Sequence, residues 1–171
     1  MLEARLNELA FGGDAVGRLP DGRVVFVPYG APGDRVALRL TRQKKSMAWG
    51  EIVQILQPGP GRREAPCPHF GVCGGCAWQQ LDYAHQTEAK AAMVRGILGR
   101  LDLDPPELIP CDAELAYRRR VRLSWRGVGG GLVMGFFRRR SKELLDVQSC
   151  PLLRPALLER LAGLRSALGH P

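Results

Sequence analysis

Four cysteines in this chain have the residue type, and three of them the close spacing, to hold a metal centre. Cys67, Cys73 and Cys76 form C-x5-C-x2-C within C-P-H-F-G-V-C-G-G-C, and Cys150 follows much later with Pro151 directly behind it. Thiolates are the preferred ligands of iron–sulfur clusters and also suit zinc. The paired Gly74 and Gly75 let the backbone fold tightly enough for Cys73 and Cys76 to reach one centre. Four such ligands read as an iron–sulfur site. A tetrahedral zinc site competes, although zinc motifs usually pair two short cysteine units and Cys150 stands by itself. Spacing alone leaves cluster and zinc open. A disulfide pair fits less well, because the cysteine count of five is odd and no secretory signal precedes the motif. The fifth, Cys111, follows Pro110 with no motif around it and reads as a plain thiol.

The second chemical feature is charge. The chain of 171 residues carries a formal net charge of +8, from 25 Lys and Arg against 17 Asp and Glu. Between Arg118 and Lys142 stand Arg118, Arg119, Arg120, Arg122, Arg126, Arg138, Arg139, Arg140 and Lys142, with no acidic residue among them. That one segment accounts for the whole excess. A localised positive field attracts polyanions, above all nucleic-acid phosphates; a merely solvated arginine face is the alternative. The start, M-L-E-A-R-L-N-E-L-A, alternates charged and apolar residues and is no signal peptide, and no apolar run is long enough to span a bilayer. Thiolate ligands in an unexported chain point to the cytoplasm.

The elements that must position these groups are mostly β with some α. Residues 1 to 57 predict five short strands, four of which can be placed: Ala15–Leu19 and Arg23–Val27 flank the hairpin signal Asp21-Gly22, Val36, Leu38 and Leu40 alternate with polar neighbours, and Ala48–Leu56 follows Lys44-Lys45. That pattern suggests a small Greek-key barrel of the oligonucleotide-binding type. Residues 58 to 66 are a Pro- and Gly-rich linker. From Asp82 as N-cap a helix is expected to Leu101, with Val94, Ile97, Leu98 and Leu101 as its apolar stripe and Asp104-Pro105-Pro106 as its stop. Tyr117–Arg126 predicts a strand with Val121, Leu123 and Trp125 on one face and Arg118, Arg120, Arg122 and Arg126 on the other. Gly127 to Gly131 turns it into a partner strand, Leu132–Phe137. A last helix opens at Pro155, carries Leu157, Leu161, Leu164 and Leu168, and closes at Gly169.

Taken in order, these segments resemble the N-terminal part of the RNA uracil-5-methyltransferase family, in the iron–sulfur branch that acts on 23S ribosomal RNA. F-V-P-Y-G-A-P-G-D (Phe26 to Asp34) resembles the TRAM domain, C-P-H-F-G-V-C-G-G-C the cluster motif, A-Y-R-R-R-V-R-L (Ala116 to Leu123) a central-domain strand, and V-Q-S-C-P-L-L (Val147 to Leu153) the fourth-ligand segment. The resemblance implies a TRAM domain over 1–57, a linker over 58–66, and a cysteine motif with part of a central RNA-binding domain over 67–171. It implies that Cys67, Cys73, Cys76 and Cys150 hold a 4Fe-4S cluster, more structural than redox in role. The barrel (with Lys44 and Lys45) and the basic hairpin would hold ribosomal RNA, whose target uracil such enzymes flip out of the stack.

The family's S-adenosylmethionine pocket, cysteine nucleophile and carboxylate base belong to a methyltransferase domain that is not recognisable here. There is no G-x-G-x-x-G between a strand and a helix. The chain is therefore expected to be inactive by itself, and that domain becomes a candidate partner. In the family the helix after the cysteine motif packs on it, so the stripe Val94, Ile97, Leu98, Leu101 should be partly uncovered. The competing class is a stand-alone, non-catalytic RNA-binding protein with an iron–sulfur or zinc site.

Overall fold

Alternating residues in the first 57 positions fold as their period requires. A computed structural model describes residues 1–129 and 131–169, which form two compact units: Met1–Ala65 with Ala77–Pro110, and Pro66–Cys76 with Cys111–Pro171.

In the first unit, strands β1 (Leu2–Leu9), β2 (Ala15–Arg18), β3 (Val24–Val27), β4 (Arg35–Gln43) and β5 (Met47–Gln57) close into a barrel in the order β1-β2-β3-β5-β4. Neighbours are antiparallel except β3 and β5, which run parallel, and β1 pairs with β4 to close the ring. This is the five-stranded oligonucleotide-binding topology. Leu6, Val25, Val27, Val36, Leu38 and Ala48 point inward and are buried. Closure removes the exposed edges that an open five-stranded sheet would leave.

Asp34 locks the following segment to the barrel. Its wholly buried carboxylate accepts hydrogen bonds from the Ala31 N–H at 2.7 Å, the Gly59 N–H at 2.8 Å and Arg62 Nη2 at 2.6 Å. Arg62 Nη2 also donates to the Tyr29 carbonyl at 2.8 Å. A buried charge is tolerated only when it is paired and hydrogen-bonded in this way.

Helix α1 (Tyr83–Leu98) starts where the sequence places it: Asp82 caps it, accepting from the His85 N–H at 2.9 Å. It ends earlier than expected, in a 3-10 turn at Gly99–Leu101 followed by left-handed Asp102, before the Pro pair is reached. Ala89 and Met93 pack on the barrel core. Val94, Ile97 and Leu101 lie 38%, 48% and 63% exposed while Leu98 is half-buried, so the stripe is partly uncovered as expected.

In the second unit, β6 (Ser124–Val128), β7 (Gly131–Phe137) and β8 (Leu144–Asp146) form an antiparallel sheet in chain order, and helix α2 (Pro155–Gly169) follows. Val147, Cys150, Leu152 and Leu153 form its core with Val121, Phe136, Leu145, Leu157, Leu158 and Leu161. The expected strand over Tyr117–Arg126 is corrected: only its end is strand, and Arg118 makes a single parallel bridge to Leu153. Trp125, expected on the apolar face with Val121 and Leu123, is 63% exposed. The expected turn at Gly127 to Gly131 is also narrower. Gly127 and Gly131 are strand residues, Gly129 is left-handed, and Gly130 lies outside the described residues. Arg165 of α2 binds the sheet, donating to Asp146 at 2.8 Å, to the Val147 carbonyl at 3.0 Å and to the Met134 carbonyl.

Candidate cysteine centre and nucleic-acid surface

The loop from Cys67 to Cys76 is built of tight turns. The Phe70 N–H bonds the Cys67 carbonyl at 3.0 Å, and the Val72 and Cys73 N–H groups bond the His69 carbonyl at 3.2 and 2.9 Å. The left-handed residue in this loop is Gly71, at φ 86°. The glycine pair serves closeness instead: a Cβ on Gly74 would lie 3.0 Å from the Phe137 carbonyl oxygen, and one on Gly75 3.4 Å from the Cys73 sulfur. The Gly75 N–H donates to that sulfur at 3.4 Å.

Cys67, Cys73, Cys76 and Cys150 line one cavity, together with Arg118. Cys150 is brought there by the turn that leads into α2, where the Leu153 N–H bonds the Cys150 carbonyl at 3.0 Å. Burial pushes the Cys67 thiol up; the His69 N–H opposes this, the nearby Cys150 and Cys73 sulfurs add to it, and the Phe70 N–H opposes it again. No disulfide joins the five cysteines, and Cys111 is exposed.

The donor set fits a thiolate-bound centre: four sulfurs, amide hydrogens aimed at two of them, and Arg118 in the same cavity lining. The geometry is not preset. The cavity is about 20 Å³, near the room one water needs, and among the described residues no group of three or more His, Cys, Asp and Glu is arranged to hold a metal ion.

The same loop is joined to an arginine turn. Cys73 and Arg138 form an antiparallel bridge, the Gly74 N–H bonds the Phe137 carbonyl at 3.0 Å, and the Arg139 N–H bonds the Val72 carbonyl at 3.2 Å. The arginines do not form the one hairpin face that alternation predicts. Arg126 alone stands on β6; Arg119, Arg120 and Arg122 are exposed on the irregular segment before it. Arg138, Arg139 and Arg140 occupy the turn after β7, where Arg138 pairs with Glu143 at 2.8 Å. On the barrel, Lys44 and Lys45 are exposed between β4 and β5. Sequence reading passed over the groups beside them. Phe26 and Trp49 stack at 5.8 Å between ring centroids, and Arg42 and Lys44 sit over the Trp49 ring at 5.0 and 5.9 Å. Their signal was two aromatics at outward positions of strands, legible only once β3 and β5 were known to pair.

Residues 1–53 match the TRAM domain family. The chain is 38% identical over 168 residues to an uncharacterized RNA methyltransferase of Gloeobacter violaceus, covering 95% of this chain and 37% of that protein. It is also 38% identical over 165 residues to the 23S rRNA (uracil(1939)-C(5))-methyltransferase RlmD of Chromohalobacter salexigens, covering 95% and 35%. In structure it resembles the tRNA (uracil-54, C5)-methyltransferase of Pyrococcus abyssi, solved with S-adenosyl-L-homocysteine: TM-score 0.61, 26% identity, 95% of this chain and 36% of that one.

This is a TRAM-domain protein. Nearly its whole length is similar to the N-terminal part of proteins named as RNA methyltransferases, a 23S rRNA (uracil-C5) enzyme among them. The chain spans just over a third of the length of the relatives it matches. No helix among the described residues is long and apolar enough to cross a membrane.

Proposed function

We propose that this chain is the RNA-binding, cluster-carrying N-terminal part of an S-adenosylmethionine-dependent 23S rRNA (uracil-C5)-methyltransferase. The observation that carries this reading is that cysteines from two distant segments line one cavity, in a loop hydrogen-bonded to an arginine turn. Residues 1–57 act as the TRAM barrel, 58–66 as the linker, and 67–171 as the cysteine motif with part of a central RNA-binding domain. The methyltransferase domain, with the S-adenosylmethionine site, is assigned to the share of the relatives that this chain does not span, and is its natural partner.

A 4Fe-4S cluster held by Cys67, Cys73, Cys76 and Cys150 would supply a rigid cross-link between two chain segments. The chain's own residues do the rest: Gly74 and Val72 hold the Arg138–Arg140 turn against the cysteine loop, and Arg118 lines the same cavity. Methyl transfer to uracil C5 requires no electron from this site, so its role is structural.

The test is metal content after anaerobic purification. We expect iron and sulfide in equal amounts with visible absorbance. Cys150→Ser should lose most of the iron and unfold at lower temperature, because three thiolates leave one corner open. Full iron retention in that variant would reject Cys150 as a ligand, and stoichiometric zinc in the parent chain would reject the cluster.

A further inference from the structure

The outer face of the barrel carries a group that closing the core does not require. Val25, Val27 and Ala48 already fill the interior at this height. Phe26 and Trp49 point the other way, are directly paired in the β3–β5 register, and stack with their planes 21° apart. On the far side of β5, Arg42 is the register partner of Trp49. Phe26, Trp49 and Arg42 therefore form a row across three adjacent strands, with Lys44 above it at the hairpin.

The cations are the informative part. Arg39, earlier on β4, faces Glu51 at 2.9 Å. Arg42 and Lys44 have no carboxylate partner among the described residues and rest on the indole instead. Phe26 also borders a cleft of about 880 Å³ between the barrel and α1, whose walls include Val16, Arg18, Met93 and Arg100. That volume lies in the range of small-ligand sites, about 300–1,000 Å³.

We infer that Phe26 and Trp49 form a stacking platform for an unpaired RNA base. Arg42 and Lys44 act as movable cations, leaving the indole face for the flanking phosphates when the base arrives. An exposed cation–π contact is weaker than base–aromatic stacking, so the exchange favours the bound state. The strand then continues past Phe26 into the cleft. This rests on the reading that the chain binds RNA, and it specifies the form: single-stranded, with stacking ahead of base-edge readout.

The test uses the whole chain and a single-stranded oligouridylate of about ten nucleotides, a length within the site size of one such barrel. Trp49→Leu keeps apolar cover on the sheet but removes the ring face, and should weaken binding about tenfold. Trp49→Phe should bind nearly as the parent does. Arg42→Gln with Lys44→Gln should reduce the salt slope by roughly 0.7 per lost phosphate contact. A paired RNA duplex offers no free base faces, so its affinity should not change in Trp49→Leu. Crosslinking the unsubstituted chain to an oligomer bearing 4-thiouridine needs no variant to fold; adducts should fall on Phe26, Trp49 or the β4–β5 hairpin.

Equal oligouridylate affinity in the parent and a folded Trp49→Leu, or adducts confined to the second unit, would overturn the platform while RNA binding stood. A parent chain that binds no RNA at all would overturn both. A cross-strand pair that only stabilises the sheet would shift the unfolding temperature and leave affinity untouched.

Discussion

Asp146 shows how one carboxylate can hold a helix to a sheet. Burial pushes its carboxyl up, but the Met134 N–H, the Arg165 guanidinium and Gln148 outweigh that and leave it lowered overall. A lowered native value means the ionised form favours the fold. Its contribution is present above the ordinary aspartate range near about pH 4 and is lost as pH falls through the lowered value. Asp146→Asn should therefore cost about 1 kcal/mol at neutral pH and flatten the acid limb of thermal stability, measured as unfolding temperature against pH. The magnitude is modest because the carboxylate is about one-third exposed and partly screened. Asp34 is the opposite case, fully enclosed, and its partners come from the barrel loop at Ala31 and from Gly59 and Arg62 in the linker. The F-V-P-Y-G-A-P-G-D motif is thus a device for fixing where the chain leaves the barrel.

At the scale of elements, local signals were read well and pairing was not. The Asp82 cap, the Asp21-Gly22 turn and the alternating strands depend on neighbours a few residues apart, so each carried its own signature. The segment Arg118–Leu123 alternates as a strand does, yet it has no partner along its length. The Arg118 N–H bonds the Leu152 carbonyl and the Arg154 N–H returns to Arg118, and the ladder stops there. Alternation shows that a segment can pair, whereas a strand also needs a neighbour in register. The consequence is functional. Arg120 and Arg122 are exposed on an irregular segment before β6, and under the proposed function they would serve as adaptable phosphate contacts. Replacing both with Ala should weaken RNA affinity across sequences and lower the salt slope by roughly one unit per contact. An unchanged slope would mean that they serve solubility alone.

For the molecule as a whole, the uncovered helix stripe and the activity expectation belong together. Val94, Ile97 and Leu101 lie exposed along one row of α1 and the 3-10 turn that ends it. With labelled S-adenosylmethionine and 23S rRNA, this chain should transfer no methyl group, and a chain extended to the full length of its relatives should do so. Turnover by the short chain would place catalytic groups within these residues and sink the proposed division of labour.

The sequence by itself determined four of the barrel's five strands, both helices and the charge asymmetry, because these rest on short-range periodicity and composition; the first strand, Leu2–Leu9, it did not place. It also named the four cysteines. Only the tertiary structure decided that Cys150 stands beside Cys67 and Cys73, that the cysteine loop is bonded to the Arg138–Arg140 turn, and that Phe26, Trp49 and Arg42 form one row. These contacts join residues far apart in the chain. Their existence depends on strand order and register, set by which faces bury together across the whole fold, and no local stretch of sequence carries that information.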